Sequence, residues 1–454
     1  MSTAETRADV RERRAWYVYD WANSAYVTTV ATVLFLPYLT VVAKRAACPG
    51  RDTDLACPVD LHVLGIPVSP GSVALYAITA ATLISAVFLP VVGAFADRSD
   101  RKRVILARLA WTGAASASAM VLVSGTNWQL GVVLLILSQF SLASSLVVYD
   151  AILCDIAPLE QRDAVSSRGW AAGYLGGGLL LAINLGVVTA HDSLGLSTEA
   201  AVRISLLSAG LWWGLFTLVP YFGLRDRPAV HRVSDDPADR SPATLTQLLH
   251  TLRELRRYPQ AWLFLLAYLF FNDGIQTVIY ASSIFGQEQL GFESNQLIVA
   301  ILLVQFVAFF GALIFGWVAR GAGPKNTILG GLVLWCVVVG IGYFLPEHRF
   351  GLFLLLAVLI GIVLGGTQAL ARSLFSRLLP HGREAEYFSL YQCCERGTSW
   401  LGTLIFGLVY QLTGSYRDAI IALVAFFLVG GALLTRVDVE QGIADAAQEE
   451  PLAA

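Results

Sequence analysis

Residues 93–103 read GAFADRSDRKR and follow a run, residues 73–92, that contains no charged side chain. Asp97 stands at the boundary, with Arg98, Arg101, Lys102 and Arg103 crowded behind it. A chain that stays apolar for about 20 residues and then turns basic is leaving a bilayer on the side that retains positive charge. The same transition recurs in GWVARGAGPK at 316–325, with Gly316 standing where Gly93 stands. A second pair of loops, DIAPLEQRDA at 155–164 and SRLLPHGREA at 376–385, carries Pro158 and Pro380 at nearly the same offset. These pairs point to an internal duplication.

Hydrophobic residues make up 56% of the 454 residues and charged residues 14%, against about 25% charged in soluble domains. The chain reads as an integral membrane protein. A hydropathy window finds twelve apolar segments, near 15–42, 73–96, 104–123, 128–150, 165–189, 203–223, 259–284, 296–319, 326–345, 350–372, 384–411 and 416–435. The first residues are polar and rich in arginine (Arg7, Arg11, Arg13, Arg14), with no signal-peptide cleavage pattern after the apolar run. Placing the N-terminus in the cytoplasm puts most Lys and Arg inside, as the charge bias requires. An even number of spans returns the C-terminus there, in what we expect to be a bacterial cell membrane.

The expected fold is all-α, with twelve transmembrane helices in two six-helix halves, 1–223 and 259–454, joined by a cytoplasmic loop, 224–258. The end of that loop places Leu245, Leu248, Leu249, Leu252 and Leu255 at helical spacing. It reads either as an amphipathic helix on the inner leaflet or as an ordinary linker helix. The loop 43–72 lies outside under this topology, and its Cys48 and Cys57 are expected to be bridged in an oxidising compartment. Cys154, Cys336, Cys393 and Cys394 read as packing residues. Cysteine and histidine nowhere fall at metal-ligand spacing, so neither metal nor cofactor is expected.

Several polar residues enter the spans. In YVYDWANSAY, residues 17–26, the side chains of Asp20, Asn23 and Ser24 share one helical face, flanked by Tyr26, with Trp21, Ala22 and Ala25 on the other. Asp20 lies roughly 8 Å inside the boundary, where it serves either as a latch to Arg168 or Arg372 or as a substrate contact. Asp273 falls near mid-membrane with Asn272, Gly274, Gln276 and Thr277, and is the first candidate for a coupling carboxylate. Gly274 predicts a locally irregular helix there. Glu395 and Arg396 are also deep, with Gln392 one turn earlier. Adjacent charges diverge by about 100° on a helix, so each needs its own partner: Arg372 for Glu395, or the carboxylate of a zwitterionic substrate for Arg396. Gln368 and Asn184 add neutral groups, while Gly173, Gly176, Gly177 and Gly178 around Tyr174 mark close helix packing.

GAFADRSDRKR resembles the loop signature of the major facilitator superfamily, G-x-x-x-D-R-x-G-R-R/K. Gly93, Asp97, Arg98, Arg101 and Lys102 match it, and Asp100 replaces its second glycine. The resemblance implies a gate in which the acid caps or pairs with a neighbouring helix end. YDWANSAY, SSRGWAAGYLGGGL (166–179), FNDGIQTV (271–278) and GGTQALARSLFSRLLPHGREAEYFSLY (365–391) resemble the vacuole-effluxer family within it. That resemblance implies a twelve-helix secondary transporter, its fungal members being linked to export of amino acids from the vacuole. The fourth span departs from the family's FYN followed by LLP: Val148, Tyr149 and Asp150 precede Leu153 and Cys154, so Asp150 adds a carboxylate near the cytoplasmic mouth.

The expectation is a secondary active transporter of a small polar, amino-acid-like solute, working by alternating access. Its partners are that solute, a proton or sodium ion and the lipid bilayer, with no nucleic acid, and the protein is a monomer. The alternatives are a cation-coupled sugar symporter and a lipid scramblase. The absence of G-x-S-x-G, H-E-x-x-H and phosphate-loop motifs speaks against an enzyme.

Overall fold

The computed structural model describes residues 6–53, 57–63, 65–229, 253, 255–397 and 399–447. Most of the amphipathic segment expected at 245–255 therefore lies outside the described residues. Long apolar stretches form helices because a bilayer offers no partner for backbone N–H and C=O groups, which must bond within the segment. The order is α1 (Arg7–Ala47), α2 (Pro70–Asp97), α3 (Lys102–Leu122), α4 (Trp128–Ile156), α5 (Leu159–Thr189), α6 (Thr198–Gly223), α7 (Pro259–Gln289), α8 (Asn295–Ala322), α9 (Pro324–Tyr343) and α10 (Phe350–Arg377). Then come α11 (Glu384–Gly397) and α12 (Ser399–Thr413), α13 (Tyr416–Thr435) and the short α14 (Val439–Ala447). Among the described residues eleven helices are long and apolar enough to cross a membrane. The pair α11 and α12, separated by residue 398, occupies the place where one further span, 384–411, is expected.

Thr6 caps α1, its hydroxyl accepting from Asp9 N–H while the Asp9 carboxylate accepts from the Thr6 backbone N–H. Successive spans reverse direction, so residues 7, 97, 102, 156, 322, 377 and 384 gather on one face, here the N-terminal face. The opposite, disulfide face carries the bonded pair Cys48–Cys57 and a hairpin of β1 (Leu61–Val63) and β2 (Ile66–Val68), with Leu61 opposite Val68.

Helices α1 to α6 pack chiefly on one another, through α1 on α5, α3 on α4 and α3 on α6; α7 to α13 do likewise, through α8 on α10 and α7 on α13. The two groups meet where α5 packs on α8 and α2 packs on α11. Trp16, Trp213 and Trp335 are fully buried within them. Ala22 and Ala25, expected on the outer side of α1, are fully buried too, because α5 and α6 both pack against this helix.

The irregular backbone is not where Gly274 predicts it. Residues 259–284 form an unbroken α-helix, and Gly274 instead admits Phe426 and Phe427 of α13, which a Cβ there would meet at 3.0 Å. Irregular stretches lie elsewhere: Val27–Leu34 in α1 and Phe285–Gln289 at the end of α7 are π-helical, and short 3-10 turns begin α2 and α5 and end α3.

Close packing depends on small residues. A Cβ on Gly365 would lie 2.1 Å from the backbone oxygen of Ala308, whereas one on Gly340 would meet nothing within 4 Å. Gly365→Ala should therefore cost about 1–3 kcal/mol through overpacking, while Gly340→Ala should hold or gain stability from helix propensity. Thermal melting of the two purified variants in detergent checks the opposite signs.

Candidate functional site

Arg372 on α10 is 2% exposed. A guanidinium has five N–H donors and keeps its charge inside a protein, so its neighbours must supply acceptors. Its Nε donates to Ser166 Oγ at 3.0 Å and its Nη1 to Asp150 Oδ1 at 3.3 Å. Its Nη2 donates to Asp20 Oδ2 at 3.2 Å and to the Ser166 carbonyl at 3.1 Å. The rings of Trp16, Tyr149 and Trp170 lie 4.9, 5.3 and 5.4 Å from the guanidinium carbon, within cation–π range. Tyr149 Oη donates to Asp20 Oδ2 at 2.7 Å, and Gln392 Nε2 to Asp150 Oδ2 at 2.8 Å. One cation thus joins α1, α4 and α5 to α10, between two carboxylates.

Nearer the N-terminal face further bonds close the seam. Arg377 and Ser373 of α10 hold Asp163 of α5, and Arg162 donates to the Ser376 carbonyl. Asp97 accepts from Ala385 N–H at 3.0 Å and Glu386 N–H at 2.8 Å, buried donors of the first turn of α11 that have no partner within the helix. Gly93 permits that approach, since a Cβ there would lie 2.5 Å from the Ala385 oxygen. Lys102 bonds Asp155 at 3.2 Å, while Arg98 and Arg101 reach the surface. On the disulfide face, ties such as Arg45–Glu199, Tyr38 to Val123 O, and Arg417 to Leu345 O run inside each group.

A cavity of about 210 Å³ lies beyond the Arg372 cluster, lined by Val27, Ala31 and Thr32 of α1, Ser85 of α2, Gln139 of α4, Gln276 and Tyr280 of α7, and Glu395 and Arg396 of α11. Glu395 and Arg396 are half-buried, whereas Asp20 and Asp150 below them are 6% and 1% exposed.

The structure divides the sequence candidates. Asp20 meets Arg372, but Arg168 is exposed in a separate cleft. Glu395 does not receive Arg372, whose donors are taken up by Asp20, Asp150 and Ser166; it faces the cavity beside Arg396. Asn23 turns its amide back to the Tyr19 carbonyl at 2.7 Å, and the Tyr26 and Ser138 hydroxyls pair at 2.7 Å. Asn272 accepts from Gln368 at 2.8 Å and donates to the Glu395 carbonyl at 3.1 Å, forming a strut between α7, α10 and α11. Asn184 packs α5 on α6 through Ser208. Asp273, fully buried, accepts from Gly402 N–H at 2.9 Å and is absent from the cavity lining. Tyr149, Ser166 and Asp163 escape sequence reasoning. The signal that could have found them is Asp150, a carboxylate in a span that demands a buried cation.

A helical bundle clasped by ion pairs across one face and hollow behind them is a membrane transporter of the major facilitator type. The proton:xylose symporter XylE shares the fold at a TM-score of 0.68 and 11% identity, over 95% of this chain and 96% of that one. The human organic anion transporter MFSD10 does so at 0.66 and 15%, over 95% and 100%. The chain belongs to the vacuole effluxer Atg22-like family, whose model matches residues 8–160 and 154–447. It is 29% identical to the uncharacterized MFS-type transporter YxiO of Bacillus subtilis, over 97% of each chain. It is 26% identical to autophagy-related protein 22 of Pyricularia oryzae, over 95% of this chain and 77% of that one. The protein is a multi-pass membrane transporter, and its relatives are transporters, not enzymes.

Arg372→Met leaves two buried carboxylates without their cation, a loss of about 3–5 kcal/mol for a broken buried pair. The N-terminal face should loosen. Cys154, whose Sγ lies 3.9 Å from the Ser376 carbonyl across the seam, should alkylate faster by mass spectrometry. Adding Asp20→Asn and Asp150→Asn should restore much of the melting temperature, and no recovery would refute the electrostatic account.

His381, in the loop before α11, bonds Glu384 at 3.0 Å, which raises its pKa above the ordinary imidazole value. A raised folded pKa stabilises fully below the unfolded pKa and is lost as pH rises through the folded one. Wild type should therefore lose melting temperature relative to His381→Gln as pH passes from mildly acidic to mildly alkaline. Parallel melting curves over that range would contradict it.

Proposed function

We propose that this transporter exports a small zwitterionic, amino-acid-like solute from the cytoplasm, driven by the proton gradient. The observation that carries the substrate class is Glu395 beside Arg396 at one small cavity. Their side chains diverge around α11, so a solute carboxylate meets Arg396 while its ammonium meets Glu395. Efflux agrees with the family's description as vacuole effluxers. A sugar reading has the amides of Gln139 and Gln276 and the Tyr280 hydroxyl in its favour, and XylE is a sugar symporter of the same fold. It leaves two opposite charges in the cavity without a task.

The coupling reading rests on charge count. Two carboxylates and one guanidinium are nearly dry when the N-terminal face is shut, and a surplus buried charge costs several kcal/mol. A proton on Asp150 removes that cost, and opening the face to water lets it leave. The N-terminal face is the cytoplasmic one in this reading, because Arg98, Arg101, Arg162, Arg168 and Arg320 end there, and the disulfide then lies on the oxidising side.

Labelled amino-acid and sugar panels in proteoliposomes, under imposed pH or sodium gradients, test the reading. Amino acids driven by pH should respond; sugars alone, or sodium alone, would overturn substrate or ion respectively. Glu395→Gln and Arg396→Gln should each weaken affinity about tenfold or more, as loss of a charged hydrogen bond predicts. Asp150→Asn should keep counterflow exchange and lose gradient-driven accumulation. If Asp273→Asn does this and Asp150→Asn does not, coupling belongs to Asp273.

A further inference from the structure

A second cleft, of about 630 Å³, opens on the N-terminal face between the start of α5 and the turn from α8 to α9, apart from both the cavity and the Arg372 cluster. Its charged lining consists of Arg13, Arg168, Arg320 and Arg377 with Glu160 and Asp163, so four cations against two acids leave two positive charges. Arg13 is engaged by Gln161 and the Ile156 carbonyl, and Arg377 by Asp163. Arg168 and Arg320 are exposed and, among the described residues, have neither an ion pair nor a hydrogen bond. Two like charges around one concavity repel each other, and a shared anion relieves that repulsion. Guanidinium forks match phosphate oxygens in pairs.

The depth of the cleft fits this chemistry. Trp317, one turn before Arg320, is 71% exposed, and exposed tryptophans gather at the headgroup level of a bilayer. The cleft also straddles the seam. Arg168 belongs to α5 and Arg320 to α8, and beneath them Gly316 packs so tightly on Ser167 that a Cβ would lie 2.5 Å from its Oγ. The walls of the cleft must part whenever the N-terminal face opens.

We propose that this cleft binds a phosphate-bearing anion, either a phospholipid headgroup or a soluble phosphate, and that its occupancy clamps the N-terminal face shut. The clamp rests on the alternating-access reading, whereas binding does not, so the two fail separately.

The test uses the full chain in phosphatidylcholine nanodiscs, with added phosphatidylglycerol in one arm and inorganic phosphate in another. Melting temperature reports binding, and alkylation of Cys154 reports opening. Wild type should melt higher and alkylate more slowly in at least one anionic arm. Arg168→Gln and Arg320→Gln should each weaken the apparent affinity about tenfold, a loss equal to about 1.4 kcal/mol. The double variant should lose the response, while Arg436→Gln, which removes an exposed arginine elsewhere on this face, should keep it. A response confined to phosphatidylglycerol identifies a headgroup, and one equal with inorganic phosphate identifies a soluble anion. An undiminished response in the double variant, or an equal loss in Arg436→Gln, overturns the site. Stabilisation that leaves Cys154 alkylation unchanged overturns the clamp.

Discussion

A single guanidinium at the crossing of four helices sets the terms for the rest of the bundle. Arg372 cannot shed its charge, so its burial is tolerable only while Asp20, Asp150 and Ser166 stay within bonding distance. That fixes how near α1, α4 and α5 come to α10. It also fixes residues that carry no charge. Gly169 sits where a Cβ would lie 2.7 Å from Asp20 Oδ2 and 3.1 Å from Arg372 Nη2, so the ion pair occupies the volume that a side chain on α5 would fill.

The same economy of volume runs up α5. Gly173 faces Ser24, Gly176 faces the Trp21 backbone, and Gly177 faces Thr28, each with room for a hydrogen and not a methyl. Helix α1 lies close against α5 along this stretch and is π-helical at Val27–Leu34, where Thr32 Oγ1 donates to the Val27 carbonyl at 2.9 Å. Val27, Ala31 and Thr32 of that stretch line the cavity. Single π turns inside α-helices recur at functional sites, and this one lies where the bundle stops being packed solid.

Spans and their order were legible because a bilayer imposes length and apolarity residue by residue. Depth was legible for Asp20 and Asp273, which lie well inside helices, as spacing implies, whereas Glu395 and Arg396 fall in the last turn of α11. Partnership was not. A helical wheel allows Asp20 to meet Arg168 or Arg372 and allows Arg372 to meet Glu395, and only the crossing of α1, α5 and α10 selects among them. Asp273 shows the limit most clearly. The sequence presents a deep carboxylate among amides, which reads as a pathway group, yet its partner is a backbone N–H near the start of α12, a donor that no side-chain pattern announces. Gly274 misled for a related reason. Glycine serves both irregular backbone and close approach, and here Phe426 and Phe427 claim the space.

The cavity and the seal are parts of one hydrogen-bonded chain. Arg396 Nε donates to Gln392 Oε1 at 3.4 Å, Gln392 Nε2 to Asp150 Oδ2 at 2.8 Å, and Arg372 Nη1 to Asp150 Oδ1 at 3.3 Å. Gln392 is the narrow point, one amide holding a cavity cation at its oxygen and a carboxylate of the Arg372 cluster at its nitrogen. In the zwitterion reading proposed above, an anion that draws Arg396 toward itself competes with the longest of these bonds and frees Gln392 to turn. Once its amide leaves Asp150, that carboxylate keeps Arg372 as its remaining donor. In the same proposed reading, a proton on Asp150 or water entering the seam takes the place of the lost bond. A run of packed, hydrogen-bonded side chains is one route by which two sites are coupled. The proposed route needs no long-range strain, only four side chains on α4, α10 and α11, two of them one helical turn apart.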